Sequence, residues 1–220
     1  MTYDWLMYSL AKCLVPACKN ISLSTFDENG ALSEERNYCL DHSPHPHKAK
    51  EAIYAYIRAH DTVVGLNASG IPFRDIDFSS KKFYGCNFSH CTFDNMHSKN
   101  CVVGMSVYDF ATFTDCAVTE SMIRFSSFAG CIFSHTLLTG SSLIQSNFNG
   151  IKSFESSFDD CDLHRSRFIL AQLTKTSFQN CNIKQTWFLQ SKRNAVSFKL
   201  SNTREAIFEK TGSALFTEAL

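Results

Sequence analysis

The sequence has no net charge, little proline or glycine, and no long apolar run. Its 21 basic and 21 acidic residues cancel, which excludes a whole-chain field that draws the protein to nucleic acid or anionic lipid. Four prolines and nine glycines among 220 residues exclude a collagenous chain, and 44% hydrophobic residues exclude a disordered one. No run of about 18 apolar residues occurs, so no contact with a membrane interior is expected.

The motifs of common enzymes are missing as well. We find no nucleophile elbow, P-loop, dinucleotide fingerprint or HExxH pair. Acids at 159, 160 and 162 lie beside His164, Arg165 and Arg167, but charges that alternate in this way usually solvate an outer surface. We therefore expect a protein that is not an enzyme.

What is present is a period of five residues between Ile71 and Phe208. Starting at Phe73, every fifth position is read as the centre of a unit. Of 28 such centres, 24 are Phe, Leu, Ile, Val or Tyr, and 15 are Phe. The position two residues earlier is Ser, Cys, Thr or Ala in 22 of 28 units. Neither an α-helix nor a β-strand has this period, so each unit must be one side of a coil.

This register resembles that of the pentapeptide-repeat family over about 138 residues. The resemblance implies an all-β solenoid, a right-handed quadrilateral β-helix with four units in each coil. Residues 20 apart would then stack, in about seven coils and a rod of roughly 34 Å. One centre column would be a continuous aromatic stack: Phe88, Tyr108, Phe128, Phe148, Phe168, Phe188 and Phe208.

Four units depart from the pattern. Ser98 and Ser153 are small residues at centre positions. In the same two units the position two residues earlier, usually small, is large: Met96 and Ile151. This indicates that the total side-chain volume of the unit is kept constant. Arg193 and Thr203 have no such compensation. We expect the coil to loosen or loop out at these two positions.

The N-terminal residues 1–47 lie outside the repeat and carry three of the ten cysteines. Cys13, Cys18, Cys39 and His42 form the pattern Cys-x4-Cys, a loop of twenty residues, then Cys-x2-His. Three thiolates and one imidazole suit a tetrahedral structural Zn²⁺. The segments CLVPAC and YCLDH resemble small Cys3His modules of treble-clef type. His45 or His47 is an alternative fourth ligand, and unligated thiols are the alternative to a metal.

The other seven cysteines fall in the small column of the repeat, where a thiol acts as a compact filler. Cys161 and Cys181 would lie one coil apart, near enough for a bond in principle. The N-terminus has an acid at Asp4 and no basic region of a signal peptide. We therefore expect a reduced, cytoplasmic protein.

The ends of the rod need covers, because the first and last coils expose core and strand edges. Residues 48–62 form a predicted capping helix, with Ala49, Ala52, Ile53, Tyr56 and Ile57 on one stripe. A helix that binds a partner is the alternative. The β-helix is predicted over 63–208. Residues 209–220, with Ser213 as a possible N-cap, are predicted to form a C-terminal cap on a monomer or a tail that joins two copies end to end.

One side of the predicted rod is apolar toward its N-terminal end, and we call it the apolar wall. Its residues are Tyr84, Val102, Met105, Met122, Phe125 and Ile144. A patch of this kind marks a contact surface, for the N-terminal module or for another protein chain.

Three functions are compared. The preferred one is a non-catalytic scaffold that presents a wall to an unidentified protein partner. The family resemblance implies an alternative, since some members imitate DNA and inhibit or protect DNA gyrase and related topoisomerases. Residues 71–208 hold 14 basic and 11 acidic residues, which weighs against mimicry of a polyanion. Direct nucleic-acid binding by the N-terminal module ranks last, because its basic residues are few and mixed with acids.

Overall fold

The computed structural model describes residues 7–33 and 35–208. Short elements follow one another along the chain, and nearly all of the strands have three residues. In chain order they are β1 Thr25–Phe26, β2 Leu32–Ser33, a 3-10 helix Leu40–His42, α1 Pro46–Ala59, β3 Thr62–Val64, β4 Pro72–Arg74, β5 Lys82–Tyr84, β6 Thr92–Asp94, β7 His97–Lys99, β8 Val102–Gly104, β9 Thr112–Thr114, β10 Ala117–Thr119, β11 Met122–Arg124, β12 Ile132–Ser134, β13 Lys152–Phe154, β14 Gln172–Thr174, β15 Lys192–Asn194, and a second 3-10 helix Thr203–Glu205.

The strands from β3 to β15 stack in parallel. Each of their residues pairs with the residue 20 positions away in the sequence, as Phe93 pairs with Phe113. One side of the coil is a sheet of seven strands, the next has four and a third has two. The fourth side is a column of isolated bridges that begins at Asn67 and Asn87 and ends at Trp187 and Ile207. Four sides and about seven coils confirm the predicted quadrilateral β-helix, and its right-handed sense is consistent with this architecture.

The centre residues fill the interior of the rod. The aromatic column beginning at Phe88 is continuous, and its successive rings are stacked with centroids 4.8 to 5.1 Å apart. The small residue two positions earlier is buried as well and leaves room for these rings, as Ser146 does beside Phe148. Alternating large and small residues therefore pack a narrow interior without a channel.

The coil turns at the residue two positions after each centre. This corner residue has a positive φ in unit after unit, for example 53° at Asn95 and 56° at Asn100. Asn, Asp and Gly tolerate this left-handed conformation best, since other side chains crowd the following carbonyl oxygen. One such residue in five redirects the backbone between sides, which explains why the period is neither helical nor extended.

The departures from the repeat have different outcomes. At Ser98 the compensation by Met96 is incomplete, and a void of about 30 Å³ remains beside it. Ser153 instead pairs its hydroxyl with that of Thr176 at 2.9 Å. Arg193 stays in register within β15, contrary to the expected loosening, whereas Thr203 begins a 3-10 helix, as expected.

α1 covers the N-terminal end of the rod. Ile53 and Ile57 are fully buried, and the ring of Tyr54 lies 5.3 Å from that of Phe73 in the first coil. Ala52, which the sequence stripe includes, is exposed, because the helix turns its tyrosines toward the core instead. No helix among residues 7–33 and 35–208 is both long enough and apolar enough to cross a membrane. The predicted tail 209–220 lies outside the described residues.

Candidate metal centre and interaction surface

Four side chains of the N-terminal module converge on one point. The ligand atoms of Cys13, Cys18, Cys39 and His42 all lie within 4.8 Å of one another. The Nδ1 atom of His42 is 3.6 Å from the Cys13 Sγ and 3.3 Å from the Cys39 Sγ, and the Sγ atoms of Cys18 and Cys39 are 4.0 Å apart. The sequence spacing thus brings together the predicted ligands, including His42.

Two local structures hold these ligands. Cys13 and Cys18 flank a tight turn in which the Cys18 N–H donates to the Val15 carbonyl and Ala17 has a φ of 64°. The antiparallel bridge between Lys12 and Ile21 closes this hairpin.

The second ligand pair brackets the 3-10 helix Leu40–His42. Cys39 is the residue before this helix and His42 is its last residue, and the His42 N–H donates to the Cys39 carbonyl. His45 is the residue before α1 and His47 lies within it, and both are exposed. Neither belongs to the converging group, so His42 is the imidazole that the described residues offer.

The distances fit a tetrahedral ion. Zinc bonds of about 2.0–2.3 Å place ligand atoms roughly 3.3–3.8 Å apart, close to the separations between His42 and its two cysteines. Cys13 and Cys39 are buried and Cys18 is half-buried, so the ligands form a closed pocket around the site except at the exposed His42. With four protein ligands, no position is left for a substrate.

Charge in the group favours a cation. Burial acts to raise the pKa of Cys13, but hydrogen bonds from the backbone N–H groups of Cys39 and Val15, with His42, outweigh it and lower the pKa to about 6. The backbone N–H of Asn20 acts to lower the pKa of Cys18, but burial and the neighbouring Cys13 and Cys39 outweigh it and raise the pKa. Deprotonation of one thiol therefore disfavours deprotonation of the next, and a bound divalent cation would remove this repulsion between thiolates.

The seven cysteines of the rod are different. Burial raises the pKa of Cys86 to about 12 and that of Cys181 to about 11. The Cys161 thiol donates to the Leu138 carbonyl, and no disulfide joins Cys161 to Cys181 or any other pair. All seven are buried and fill the small column, as predicted.

The apolar wall lies on the side of the rod formed by β5, β8 and β11 and on the adjoining corner. Phe125 is 59% exposed, Met105 43% and Met122 42%, while Tyr84, Val102 and Ile144 are half-buried. Gly104 keeps the wall flat, because a Cβ there would lie 3.0 Å from the ring of Tyr84. The Tyr84 ring therefore extends along the wall over the next coil.

Two residues of the wall occupy an unfavourable backbone conformation. Met105 and Phe125 are corner residues with φ of 51° and 54°, where Asn, Asp or Gly is preferred. Bulky apolar side chains are exposed at corner positions on other parts of the rod as well, for example at Leu170 and Leu200. Phe110 is also a corner residue, but its ring stacks on His90 at 5.3 Å and lies over Gly130.

The described part of the N-terminal module does not cover this wall. It contacts the first two coils, where the Ser24 hydroxyl accepts from the Asn67 N–H at 2.8 Å and the Tyr8 N–H donates to the Gly85 carbonyl at 2.8 Å. The module thus ends beside the wall, and Met122 and Phe125 stay exposed.

The sequence reasoning missed other exposed apolar side chains on the rod. They are Phe110, Ile132, Leu137, Phe154, Leu170, Trp187 and Leu200. Three of them could have been found from the sequence, because they occupy the same position of the five-residue unit as Met105 and Phe125: Phe110, Leu170 and Leu200. They are spread over several sides, whereas the apolar wall is contiguous.

Comparisons with known proteins agree with this fold. Residues 155–188 match the family described as pentapeptide repeats (8 copies). The structure is similar to that of a trypsin-treated variant of QnrB1, a plasmid-mediated fluoroquinolone resistance protein, with a TM-score of 0.56 and 16% identity over 68% of this chain and 81% of that chain. It also matches HetL, a pentapeptide repeat protein involved in heterocyst differentiation regulation from the cyanobacterium Nostoc, with a TM-score of 0.29 and 9% identity over 71% of this chain and 95% of that chain. No curated protein matches the sequence. The likeness to QnrB1, at 16% identity, shows the fold alone.

Proposed function

We propose that this pentapeptide-repeat protein is a non-catalytic scaffold that binds a protein partner through the apolar wall. The observation that carries the proposal is the exposure of Met105, Met122 and Phe125 together on a flat side of a rigid rod. Burying such a patch against a partner removes apolar surface from water, and the rod loses little conformational freedom on binding. The partner suited to it is a protein that presents an apolar surface of its own.

The interior of the rod is too tightly filled to hold a small-molecule substrate. Small-molecule sites are usually concave clefts of several hundred cubic ångströms. Inside the rod, the void beside Ser98 measures about 30 Å³, room for about one water molecule. The His, Asp and Arg side chains near 160 lie on the outside, where His164 is half-buried and Arg165 is bonded to Gln185.

The metal has a structural role in this proposal. Cys13, Cys18, Cys39 and His42 would hold Zn²⁺, which would join the hairpin to the 3-10 helix before α1. The module has few buried apolar side chains of its own, and small domains of that kind gain their stability from a metal. Ten unpaired cysteines further support a reducing, cytoplasmic compartment.

A direct test exchanges the exposed wall residues. The variant Met122→Ser/Phe125→Ser removes two apolar side chains without touching the core. The matched control is Phe154→Ser/Leu170→Ser, which changes two side chains that are 42% and 60% exposed on other sides. Both variants are used in crosslinking and affinity purification from cells that express the protein, and their melting temperatures are measured.

The proposal expects one partner to be lost with the wall variant and kept with the control, at an unchanged melting temperature. If the wall variant melts several degrees lower and no partner is lost, the wall is an internal contact of this chain and the proposal is wrong. Equal recovery of all partners by both variants also contradicts it.

A gyrase supercoiling assay separates the scaffold from the DNA mimic. The side of the wall carries Lys82 and Arg124, and the rod has more bases than acids. The scaffold proposal expects no inhibition or protection at micromolar protein. Inhibition that the wall variant retains would favour mimicry instead.

A further inference from the structure

The net charge of zero results from two parts of the chain with opposite charge. Residues 1–162 hold 12 basic and 18 acidic residues, whereas residues 163–220 hold nine basic and three acidic ones. Within the rod, residues 71–162 have six basic and ten acidic residues, and residues 163–208 have eight basic and one acidic. We call residues 163–208 the basic third. It carries a local positive field that the composition of the whole chain does not reveal.

Among the described residues, two of the eight basic side chains of the basic third form ion pairs. The Lys184 Nζ atom lies 3.2 Å from a carboxylate oxygen of Glu205, the one acid in this range, and the Lys175 Nζ atom lies 2.7 Å from an oxygen of Glu155. Six more basic residues add to the field: Arg165, Arg167, Lys192, Arg193, Lys199 and Arg204.

Exposed basic residues lie on all four sides of the basic third. Lys192 belongs to β15, Lys199 lies on the side of β7 and β10, Lys184 on the side of the apolar wall, and Arg167 on the side of isolated bridges. A planar membrane or a flat protein surface contacts one side of a rod at a time. A flexible polyanionic chain can follow the surface around the rod, so this distribution favours a chain.

One patch on the side of isolated bridges combines this charge with an exposed aromatic ring. Arg167, Trp187 and Ile207 pair there in register, one coil after another, and Trp187 is 42% exposed. At the adjoining corner the Arg165 Nε donates to the Gln185 Oε1 at 2.8 Å, which engages one of its five N–H donors. An open cavity of about 460 Å³ is lined by Arg165, Arg167, Ile169, Gln185, Trp187 and Ile207.

The chemistry of this cavity fits a nucleotide unit. Guanidinium groups bind phosphate through paired N–H donors, and an exposed indole offers a flat face on which a base can stack. The half-buried Ile169 and Ile207 add apolar surface beside the indole, and the six lining residues include no carboxylate to repel a phosphate. Bases are free to stack on a protein ring in a single strand, whereas in a duplex they stack on one another.

We propose that the basic third binds single-stranded nucleic acid, with a base stacked on Trp187 and neighbouring phosphates bound by Arg165 and Arg167. The other basic residues of this region attract the strand where it continues around the rod. The patch lies on a different side of the rod from the apolar wall and away from the cysteines of the N-terminal module. This binding therefore depends neither on the protein partner nor on a metal.

Fluorescence anisotropy of the full chain with labelled oligo(dT) and oligo(U) of about 15 nucleotides, at salt between about 50 and 200 mM, tests the proposal. The unchanged protein should bind less tightly as salt rises. Trp187→Ala should weaken binding about tenfold at an unchanged slope of log affinity against log salt, because it removes stacking but no charge. Arg165→Gln/Arg167→Gln should reduce the slope by about 1.4, because two phosphate contacts are lost.

Matched variants control for exposure and charge. Phe154→Ala removes another ring that is 42% exposed, and Arg74→Gln/Arg124→Gln removes two positive charges outside the basic third. Both should bind the strand as the unchanged protein does. Met122→Ser/Phe125→Ser should bind it equally well, so that failure of this proposal and failure of the protein scaffold are distinguishable.

The proposal is overturned if neither strand binds at about 50 mM salt. Equal weakening by Trp187→Ala and Phe154→Ala, or by the two double arginine variants, also overturns it, since the attraction would not be located at this patch. Binding of polyglutamate or of anionic vesicles without binding of either strand assigns the basic third to an acidic peptide or a membrane instead. When both strands bind at this patch, the tighter of oligo(U) and oligo(dT) identifies RNA or DNA as the preferred ligand.

Discussion

The N-terminal module and the rod use the same side chain for opposite purposes. In the module, Cys13, Cys18 and Cys39 surround His42, and hydrogen bonds lower the pKa of Cys13 to about 6. In the rod, Cys86 is buried between coils, and burial raises its pKa to about 12. A thiol is suited to metal binding where N–H groups converge on it, and it acts as a filler where aromatic rings surround it. The environment of a cysteine, more than its presence, therefore decides its chemistry.

The two regions should also differ in what stabilises them. The rod repeats one packed layer many times, and each layer is supported by its neighbours. The described part of the module, residues 7–33 and 35–45, has two short strands and a single turn of 3-10 helix before α1. We therefore expect the module to depend on a metal and the rod to be independent of it.

Metal removal should produce the largest effect. Chelation, or Cys39→Ser, is expected to abolish zinc binding and the ordered structure of residues 12–42, because binding of a structural zinc contributes on the order of 10 kcal/mol in small modules. Zinc content and hydrogen exchange of the Cys13 amide measure this. The matched control is Cys91→Ser in the rod, which should keep one zinc per chain. Full zinc content in Cys39→Ser would contradict the assignment of the ligands.

A core truncation should destabilise the rod and leave the module intact. Phe148 is fully buried and lies 5.0 Å from the ring of Phe128 and 4.8 Å from that of Phe168. Phe148→Ala is expected to cost about 3–5 kcal/mol of unfolding free energy, because a cavity remains in the stack. Phe125→Ala, at an exposed position, should cost less than about 0.5 kcal/mol. Equal losses in denaturant unfolding would show that the stack is not the core.

High pH should weaken the rod gradually through its thiols. Burial raises the pKa of Cys86 from 9.0 to about 12, so its contribution is complete below pH 9 and is lost as the pH rises toward 12, where the unfolded chain has already released the proton. At pH 10 the loss is roughly 1 kcal/mol for this thiol. Cys86→Ala should flatten this dependence. An unchanged slope of stability against pH in Cys86→Ala would contradict the assignment.

The smallest effect concerns one corner of the rod. Gly130 has a φ of +67°, and a Cβ there would lie 2.7 Å from the Phe110 ring, whereas Gly150 has a φ of +68° with nothing within 4 Å. Both Gly→Ala changes should lower the unfolding free energy by about 1 kcal/mol, because alanine is disfavoured in the left-handed backbone conformation. Gly130→Ala should cost a few tenths of a kcal/mol more, because the Phe110 ring must move. Denaturant unfolding of the two variants measures the difference, and equal losses would show that this ring moves freely.

Much of the fold was predictable because each unit of five residues shows by itself which of its side chains face the interior of the rod. The Phe at every fifth position and the small residue before it fix which side chains face inward, whatever the neighbouring coils are. The convergence of Cys13, Cys18, Cys39 and His42 was predictable for a related reason, since they are distinctive residue types in two close pairs. Ala52 was assigned to the wrong side of α1, because the helical stripe alone did not show that Tyr54 contacts Phe73.

Spacing along the chain is enough to predict the period, the interior columns and the two close Cys and Cys/His pairs. Spacing could not predict which imidazole joins the thiols or how far the module extends along the rod. Nor could it predict that the Nε and Nη1 atoms of Arg193 are buried without an acceptor among the described residues. These features depend on contacts between residues far apart in sequence, and such contacts produce no periodic pattern in the sequence. A local sequence pattern indicates which side chains are buried, but not which residues they contact.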